Sequence, residues 1–157
     1  MLTPEQQDAL RRIARAAVAS EKATGVPAEL TAAQCIFESA WLTRAPGNNC
    51  FGIKRDGKGD GVQYVLTHEY LDGQWKQIPL AFEVYPNLAA CFSDHSRLIQ
   101  TGVYAPAWQK YSSDHDLDAL IKGVAAHYAT DPEYAKKIAL EANSSTVQLA
   151  VQAARQG

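Results

Sequence analysis

The sequence predicts an α+β fold, in which a mainly helical body is interrupted once by a small β-hairpin lobe. Capped segments with apolar residues at helical spacing occupy both ends of the chain, and two extended runs joined by an Asp-Gly turn lie between them. The 157 residues show no internal repeat or low-complexity tract, so we expect one domain over residues 1–157. Two lobes of this kind should enclose a cleft.

The first two helices have clear start signals. Thr3 can cap a helix whose first and third residues are Pro4 and Gln6, and the helical spacing continues to about residue 23. The segment Gly25-Val26-Pro27 then breaks the chain, and Pro27 can open a second helix. Glu38 falls in the last turn of that second helix.

The hairpin lobe is predicted over about residues 62–85. It follows a stretch, residues 44–61, in which Gly, Pro, Asn and Asp predict irregular exposed chain. The strands should cover 62–70 and 74–85. By the alternation of side chains along a strand, Glu69 shares a face with Val65 and Thr67.

The rest of the chain reads as helix. The predicted segments are residues 88–99 capped by Asn87, 117–129 capped by Asp116, 133–142 after Asp131-Pro132, and a last helix capped by Ser144 or Ser145. Residues 102–113 look like a looser aromatic segment.

Glu38 is the most informative residue. It is embedded in the apolar run from Ala32 to Trp41 and is followed at once by turn residues. Burial among apolar groups disfavours the charged form of a carboxylate, so its pKa should rise toward neutrality. A glycosidase acid needs that property, because it must hand a proton to a leaving oxygen. The alternative is a surface Glu on the polar side of an amphipathic helix.

A second carboxylate on the opposite wall would complete a glycosidase pair, with one acid protonating the departing oxygen and the other orienting water or stabilising the transition state. Glu69 on the hairpin is a candidate. The 17 acidic residues offer many other pairs, and an exposed Glu on a strand is most often only solvated.

Composition excludes several classes of partner. A net charge of −2 gives no basic field for nucleic acid, and no apolar run approaches the roughly 18 residues that span a bilayer. Neither nucleic-acid binding nor stable membrane insertion is expected. The N-terminus lacks the basic and apolar parts of a signal peptide, so we expect either export by another route or an N-terminal signal that has been removed.

Neither a metal nor a cofactor is expected. The four histidines lack metal-ligand spacing, and residues 56–61 resemble a calcium loop but place Lys58 where an oxygen ligand is needed. The three cysteines allow at most one bridge. Cys35 and Cys91 should be buried thiols, whereas Cys50 lies beside the suspected site and is a candidate reactive thiol.

Several motifs in order resemble one bacterial family. They include Glu38-Ser39-Ala40-Trp41, the run Ala45 to Lys54, Thr67-His68-Glu69-Tyr70, Phe82 to Pro86, and the segment from His127 to Ala135. Together they are similar to the glucosaminidase family, which includes mannosyl-glycoprotein endo-β-N-acetylglucosaminidase-like domains, the peptidoglycan-hydrolase domain of the flagellar rod-cap protein and several autolysins. The resemblance covers roughly residues 30–138.

The resemblance implies a lysozyme-like fold and roles for individual residues. The family's acid matches Glu38, its second glutamate on the β-lobe matches Glu69, and the tyrosine of its Tyr-Ala-Thr-Asp-Pro motif matches Tyr128. Substrate contacts are expected from Trp41, Asn49, Phe51, Tyr70 and Thr130. Trp75 and Trp108 could also offer flat faces to sugar rings, although most of the aromatic residues should be packing.

The implied activity is hydrolysis of the β-1,4 bond after N-acetylglucosamine in peptidoglycan glycan strands, by a monomer acting on the bacterial cell wall in the periplasm or outside the cell. A phage endolysin or a secreted effector would fit the missing signal. Alternatives are a muramidase or lytic transglycosylase with the same acid, and a non-catalytic peptidoglycan-binding or assembly module.

The sequence departs from the family pattern at three positions. Ala40 stands where Gly is common, Cys50 where an apolar residue is usual, and His127 where Gly is frequent. None of these changes removes a proposed catalytic group. Cys50 and His127 could alter the cleft wall or its pH response.

Overall fold

The computed structural model describes all 157 residues, as seven α-helices and one two-stranded antiparallel sheet. The helices are α1 (Pro4–Thr24), α2 (Ala28–Ser39), α3 (Leu88–Ile99), α4 (Ala105–Asp114), α5 (Leu117–Tyr128), α6 (Tyr134–Ala142) and α7 (Ser145–Gln156). The strands are β1 (Gly61–Leu71) and β2 (Gln74–Val84), and short 3₁₀ turns cover Pro46–Asn48 and Gly102–Tyr104.

Local capping explains where most helices begin. The Thr3 side chain and backbone exchange hydrogen bonds with Gln6, which forms the predicted capping box of α1. Asn87, Asp116 and Ser144 each accept a hydrogen bond from the third residue of the helix that follows. Helix starts that are set by such short-range hydrogen bonds are therefore predictable from sequence.

The second helix, α2, is the centre of the body. Ten of its 12 residues are buried, and it packs against α1, α6 and α7. Ala32 and Cys35 belong to one hydrophobic cluster, with α1, α3 and α7, while Leu30 and Ala33 belong to another, with α5 and α6. Phe37 and Glu38 are the α2 residues that are not buried, so only the C-terminal end of the helix is accessible to solvent.

The hairpin has the predicted strands and turn. Asp72 and Gly73 both have positive φ angles, 52° and 76°, which a two-residue hairpin turn requires. Glu69 pairs with Lys76 across the sheet. Val65, Thr67 and Glu69 are half-buried on one face, as the alternation predicts.

The prediction of a looser aromatic segment over residues 102–113 is wrong in part. After one 3₁₀ turn the chain forms α4, which packs against α5. Gly123 lies at this contact, where an added Cβ would collide with the Cβ of Ala107. This close approach depends on the partner helix, and a local pattern does not contain it. None of the helices is both long and apolar enough to cross a membrane.

Candidate active site

Glu38 sits where α2 ends in a left-handed turn. Ala40, Trp41 and Leu42 have φ angles of 46°, 60° and 68°, a conformation that is unfavourable for residues with a Cβ. The Ser39 hydroxyl supports the turn by donating to the Cys35 carbonyl at 2.5 Å and accepting from the Leu42 amide at 2.9 Å. The helix therefore stops directly after Glu38, and its carboxyl projects from the end of the body.

The carboxyl faces a cleft between the helical body and the hairpin, with a volume of about 460 Å³. Its walls are the end of α2, the irregular chain of residues 44–54, the half-buried face of β1, and residues 128–131 after α5. Five of the predicted site residues line it: Glu38, Asn49, Glu69, Tyr128 and Thr130. The fold thus brings both candidate carboxylates to one cavity.

Burial, and to a lesser extent the negative charge of Glu69, raise the pKa of Glu38, which reaches about 7. The Tyr134 hydroxyl and the Lys54 ammonium act in the opposite direction, because both stabilise the ionised carboxyl. Gly52 approaches the carboxyl closely: its φ angle is 63°, and an added Cβ would lie 3.3 Å from Glu38 Oε2. Glu38 is therefore a carboxyl that is substantially protonated near neutral pH.

Glu69 has a different environment. Thr67 Oγ1 donates to one carboxylate oxygen at 2.9 Å, Thr130 Oγ1 donates to the other at 2.7 Å, and Lys54 Nζ lies 4.0 Å away. Thr130 also accepts a hydrogen bond from the Tyr70 amide at 2.7 Å. Thr130 on the body therefore bonds both to the second carboxylate and to the strand that carries it.

Tyr128 lines the cleft and is fixed by its hydroxyl. The hydroxyl donates to the Phe51 carbonyl at 2.6 Å, and burial raises the pKa of this phenol well above its usual value. With its proton committed, the Tyr128 oxygen can only accept a hydrogen bond from a ligand in the cleft.

Asn49 lines the cleft but is almost fully buried. Its amide donates to the Ile53 carbonyl at 2.9 Å and to the Glu83 carbonyl at 3.0 Å, while its Oδ1 accepts from the Ile53 amide at 3.0 Å. These bonds tie the irregular chain to β2. The polar atoms of Asn49 are therefore used to build the wall, and its predicted contact with substrate is a secondary use at most.

Three predicted substrate residues lie outside the lining of the cleft. Phe51 is fully buried and stacks on His95 with ring centroids 4.0 Å apart, so its predicted sugar contact is corrected to a role in packing. Trp41 packs against the core, and Tyr70 packs edge-on against Trp75 at 5.3 Å. Trp108 is far from the cleft and packs on Tyr111 and Gly25.

The cleft also contains residues outside the predicted set of catalytic and substrate-contact residues. Phe37 is 43% exposed and lines the cleft beside Glu38. Trp75, one of the secondary aromatic candidates, is 55% exposed at the opposite wall. Arg44 and Lys54 bring positive charge to the wall that the irregular chain forms. Its position directly before Glu38 is the sequence signal that could have identified Phe37.

The cysteines take no part in the cleft. All three are free and fully buried, with the Cys50 and Cys91 sulfurs 3.6 Å apart. The neighbouring Cys35 and Cys91 thiols, together with burial, raise the pKa of the Cys50 thiol, so the expectation of a reactive Cys50 is wrong. No group of three His, Cys, Asp or Glu residues is arranged to hold a metal ion.

Comparison with known proteins supports this reading of the cleft. Residues 14–144 match the glucosaminidase family model, described as mannosyl-glycoprotein endo-beta-N-acetylglucosaminidase. An autolysin of Enterococcus faecalis is 36% identical over 151 residues, which cover 87% of this chain and 20% of that protein. A probable N-acetylmuramidase of Lactococcus lactis is 35% identical over 136 residues, covering 80% of this chain and 30% of the relative.

A solved structure shares the architecture. The crystal structure of a peptidoglycan hydrolase mutant from Sphingomonas sp. A1 superposes with a TM-score of 0.73 at 29% identity, covering 94% of this chain and 97% of that one. The predicted lysozyme-like α+β fold is thereby confirmed. The chain spans only a fifth to a third of the two curated relatives above, so their activities as whole proteins belong to them.

Proposed function

This chain belongs to the glucosaminidase family, and from that premise we propose that it is a peptidoglycan hydrolase that cleaves the β-1,4 bond after N-acetylglucosamine. One observation carries the proposal: the pKa of Glu38 is raised to about 7 by burial, in a cleft whose opposite wall carries Glu69. A carboxyl that remains protonated near neutrality, opposite a second carboxylate, is the minimum equipment for glycosidic hydrolysis.

Glu38 is the proposed proton donor. Its neutral form protonates the glycosidic oxygen as the bond to the sugar breaks, and the developing positive charge spreads over the ring carbon and ring oxygen. The same burial that raises the pKa also removes competing water from the acid. Gly52 supports this geometry, since any side chain at that position would crowd the carboxyl.

Glu69 is the proposed base or electrostatic partner. Thr67, Thr130 and Lys54 hold its carboxylate on the hairpin wall, where it can orient a water molecule or stabilise the oxocarbenium-like transition state. Tyr128 is proposed to accept a hydrogen bond from the substrate acetamido N–H, because its own proton is donated to Phe51.

Two exposed aromatic faces are proposed to bind the glycan strand. Phe37 and Trp75 lie on different walls of the cleft, and flat apolar rings suit the apolar faces of sugar rings. Thr130, Trp41 and Tyr70 are proposed to act indirectly, by holding the hairpin and the end of α2 in place. We propose that the protein works as a monomer on the bacterial cell wall, without metal or cofactor.

The test is Glu38→Gln, which keeps the size of the side chain and removes the proton. We expect digestion of purified sacculi to fall at least about a thousandfold with the fold retained. Glu141→Gln is the matched control, because burial also raises the pKa of Glu141 but this residue lies outside the cleft. Digestion by Glu38→Gln at the parental rate would refute the proposal.

A muramidase is the second candidate, since the Lactococcus lactis relative is named a probable N-acetylmuramidase. Mass spectrometry of the released fragments separates the possibilities. Reducing-end N-acetylglucosamine supports the glucosaminidase, reducing-end N-acetylmuramic acid a muramidase, and an anhydro-muramic end a lytic transglycosylase. Binding to sacculi without any released sugar would instead indicate a non-catalytic module.

A further inference from the structure

A chain of buried polar side chains lies behind Glu38. Gln34 is one helical turn before Glu38 on α2, so both project from the same side of that helix. Tyr134 on α6 and His95 on α3 contact Gln34 from either side. Gln34 and Tyr134 are each 1% exposed and His95 is fully buried, so water does not partner these groups.

Two hydrogen bonds connect His95, Gln34 and Tyr134. His95 Nε2 lies 2.7 Å from Gln34 Oε1, and Gln34 Nε2 donates to the Tyr134 oxygen at 3.1 Å. The Tyr134 hydroxyl also acts on Glu38, because as a donor it lowers the pKa of that carboxyl. The sequence of groups is therefore imidazole, amide, phenol and carboxyl.

The unpartnered atom at the far end sets the direction of every bond. His95 Nδ1 is the one buried side-chain nitrogen or oxygen atom that has no hydrogen-bond partner. Burial lowers the pKa of His95 to about 3, so the ring is neutral and carries one proton. A bare nitrogen lone pair is tolerated in a core more readily than an orphaned N–H, so the proton belongs on Nε2.

That tautomer fixes the rest. Nε2–H donates to Gln34 Oε1, which leaves the Gln34 amide N–H facing Tyr134. Because the Tyr134 oxygen accepts there, its own proton must point elsewhere, toward Glu38. The opposite orientation of Gln34 would require Nδ1–H on His95, an N–H with nothing to bond.

We propose that His95 and Gln34 are positioning residues for the acid: they direct the Tyr134 hydroxyl proton onto Glu38 and so keep the transferable proton on the carboxyl oxygen that faces the cleft. The inference rests on the proposed function of Glu38. A carboxylic acid that accepts a hydrogen bond on one oxygen carries its proton on the other.

The chain should also oppose the effect of burial on Glu38, because a donor stabilises the ionised carboxyl. The other groups that act on Glu38 are Glu69 from β1, Lys54 from the irregular chain and the Tyr128 phenol from α5. None of the variants below changes them. Loss of the Tyr134 donor must therefore move the Glu38 pKa upward, whereas a purely structural role for the chain leaves it in place.

The first experiment is ¹⁵N NMR of the imidazole of His95 in the intact chain. We expect the Nε2–H tautomer from pH 5 to 8, with no protonation of the ring. An Nδ1–H tautomer would reverse the direction of the chain and overturn the proposal. This measurement needs no substrate, so it stands even if the activity proves to be different.

The second experiment follows the Glu38 carboxyl by ¹³C NMR titration in Tyr134→Phe and Gln34→Met. Each should raise the midpoint by about one pH unit, and the alkaline limit of sacculus digestion should move with it. Tyr104→Phe is the control, because Tyr104 lies in the same apolar cluster but donates to the His127 carbonyl. Its titration midpoint should match that of the parent.

Outcomes separate the two proposals. Unchanged Glu38 midpoints in folded Tyr134→Phe and Gln34→Met would refute the positioning chain while leaving Glu38 as the acid. If Gln34→Met does not fold, Tyr134→Phe, which keeps the buried ring, decides the question by itself. Full activity of Glu38→Gln would instead refute the proposed function, whatever the NMR of His95 shows.

Discussion

At the scale of residues, the turn after Glu38 is a strained element beside the site. Ala40, Trp41 and Leu42 all lie in the left-handed region, which costs a residue with a Cβ about 1 kcal/mol. Ala40 stands where the family commonly has Gly, and the positive φ angle supplies the reason for that preference. The positive φ angle at this position favours Gly, and Ala is tolerated there.

Replacing Ala40 with Gly should therefore stabilise the protein. Relief of the strain outweighs the added entropy of the unfolded chain, and we expect the free energy of unfolding to rise by about 0.5–1 kcal/mol in urea titrations. Ala19→Gly is the opposite control, since Ala19 is an exposed residue inside α1 and its replacement should lower stability by about 1 kcal/mol. Equal losses of stability in both variants would show that Ala40 is not strained.

Glu38 should also make stability depend on pH. Its pKa is 4.5 in the ordinary state and about 7 when folded, so the folded chain binds the proton more tightly. The resulting stabilisation is complete below about pH 4.5 and is lost as the pH rises through 7. Glu38→Gln lacks this loss, because an amide does not ionise.

We therefore expect the free energy of unfolding of Glu38→Gln, relative to the parent, to rise by about 1–3 kcal/mol between pH 5 and pH 8. This range is smaller than the full pKa shift would give, because the carboxyl meets solvent in the cleft. Chemical denaturation of both proteins at the two pH values measures it. A difference between the two proteins that does not vary with pH would mean that the carboxyl is not desolvated.

The sequence predicted the environment of Glu38 better than the roles of the residues around it. An apolar run around Glu38 was enough to predict a raised pKa, because residues one turn away on a helix are neighbours in space. Phe51 and Asn49 were placed in the cleft by proximity in sequence. Their actual roles, in the core and in the wall, depend on His95 and Glu83, which lie more than thirty residues away along the chain.

At the scale of elements, the irregular chain before the hairpin is organised by one buried carboxylate. Glu83 on β2 is 1% exposed and accepts from the amides of Asp56, Gly57 and Gly59 at 2.6, 2.7 and 2.9 Å. Arg97 on α3 adds an ion pair to Asp56 at 2.6 Å. The segment that resembled a calcium loop is thus a turn folded around a protein carboxylate.

Thr130 is the link between the hairpin and the body. Its hydroxyl joins Glu69 to the Tyr70 amide, so it orders the strand that carries the second carboxylate. Thr130→Val keeps the shape of the side chain and removes both bonds. We expect about a tenfold loss in digestion of sacculi and faster hydrogen exchange at the Tyr70 amide.

Thr101→Val provides the comparison for that variant, because the Thr101 hydroxyl bonds only to carbonyls of α3, away from the cleft. Exchange at Tyr70 and digestion should both stay at parental levels in Thr101→Val. If Thr130→Val also left both unchanged, the hairpin would have to be held by contacts other than this hydroxyl.

Elements with local signals were predicted well, and those held by distant partners were not. The Asp-Gly turn and the alternation of β1 fixed the hairpin and the face of Glu69, while the caps fixed most helix starts. Helix α4 lacked a side-chain cap and a strong apolar stripe. Its stability comes from packing on α5, which a local pattern does not reveal.

At the scale of the whole molecule, α2 connects stability to function. It lies between two hydrophobic clusters, and the end that leaves the core carries Phe37 and Glu38. The start of α2 is anchored by Arg155 of α7, whose guanidinium contacts Glu29 at 2.7 Å and Glu21 at 2.6 Å. The rigid body therefore positions Glu38, the proposed acid, while the hairpin positions Glu69, its proposed partner.

The α+β architecture followed from the order of helix and strand patterns, and the cleft followed from the architecture. The sequence did not reveal the chain of buried polar residues behind Glu38. Gln34 and Tyr134 are 100 positions apart, and His95 joins them from a third helix. Such a chain becomes visible only when the three helices are packed together.

The rate of sacculus digestion as a function of pH tests the central claim most directly. If Glu38 delivers its proton from a desolvated cleft, the rate should fall about tenfold per pH unit above roughly pH 7, where the acid becomes ionised. A rate that stays level from pH 6 to pH 9 would contradict the account.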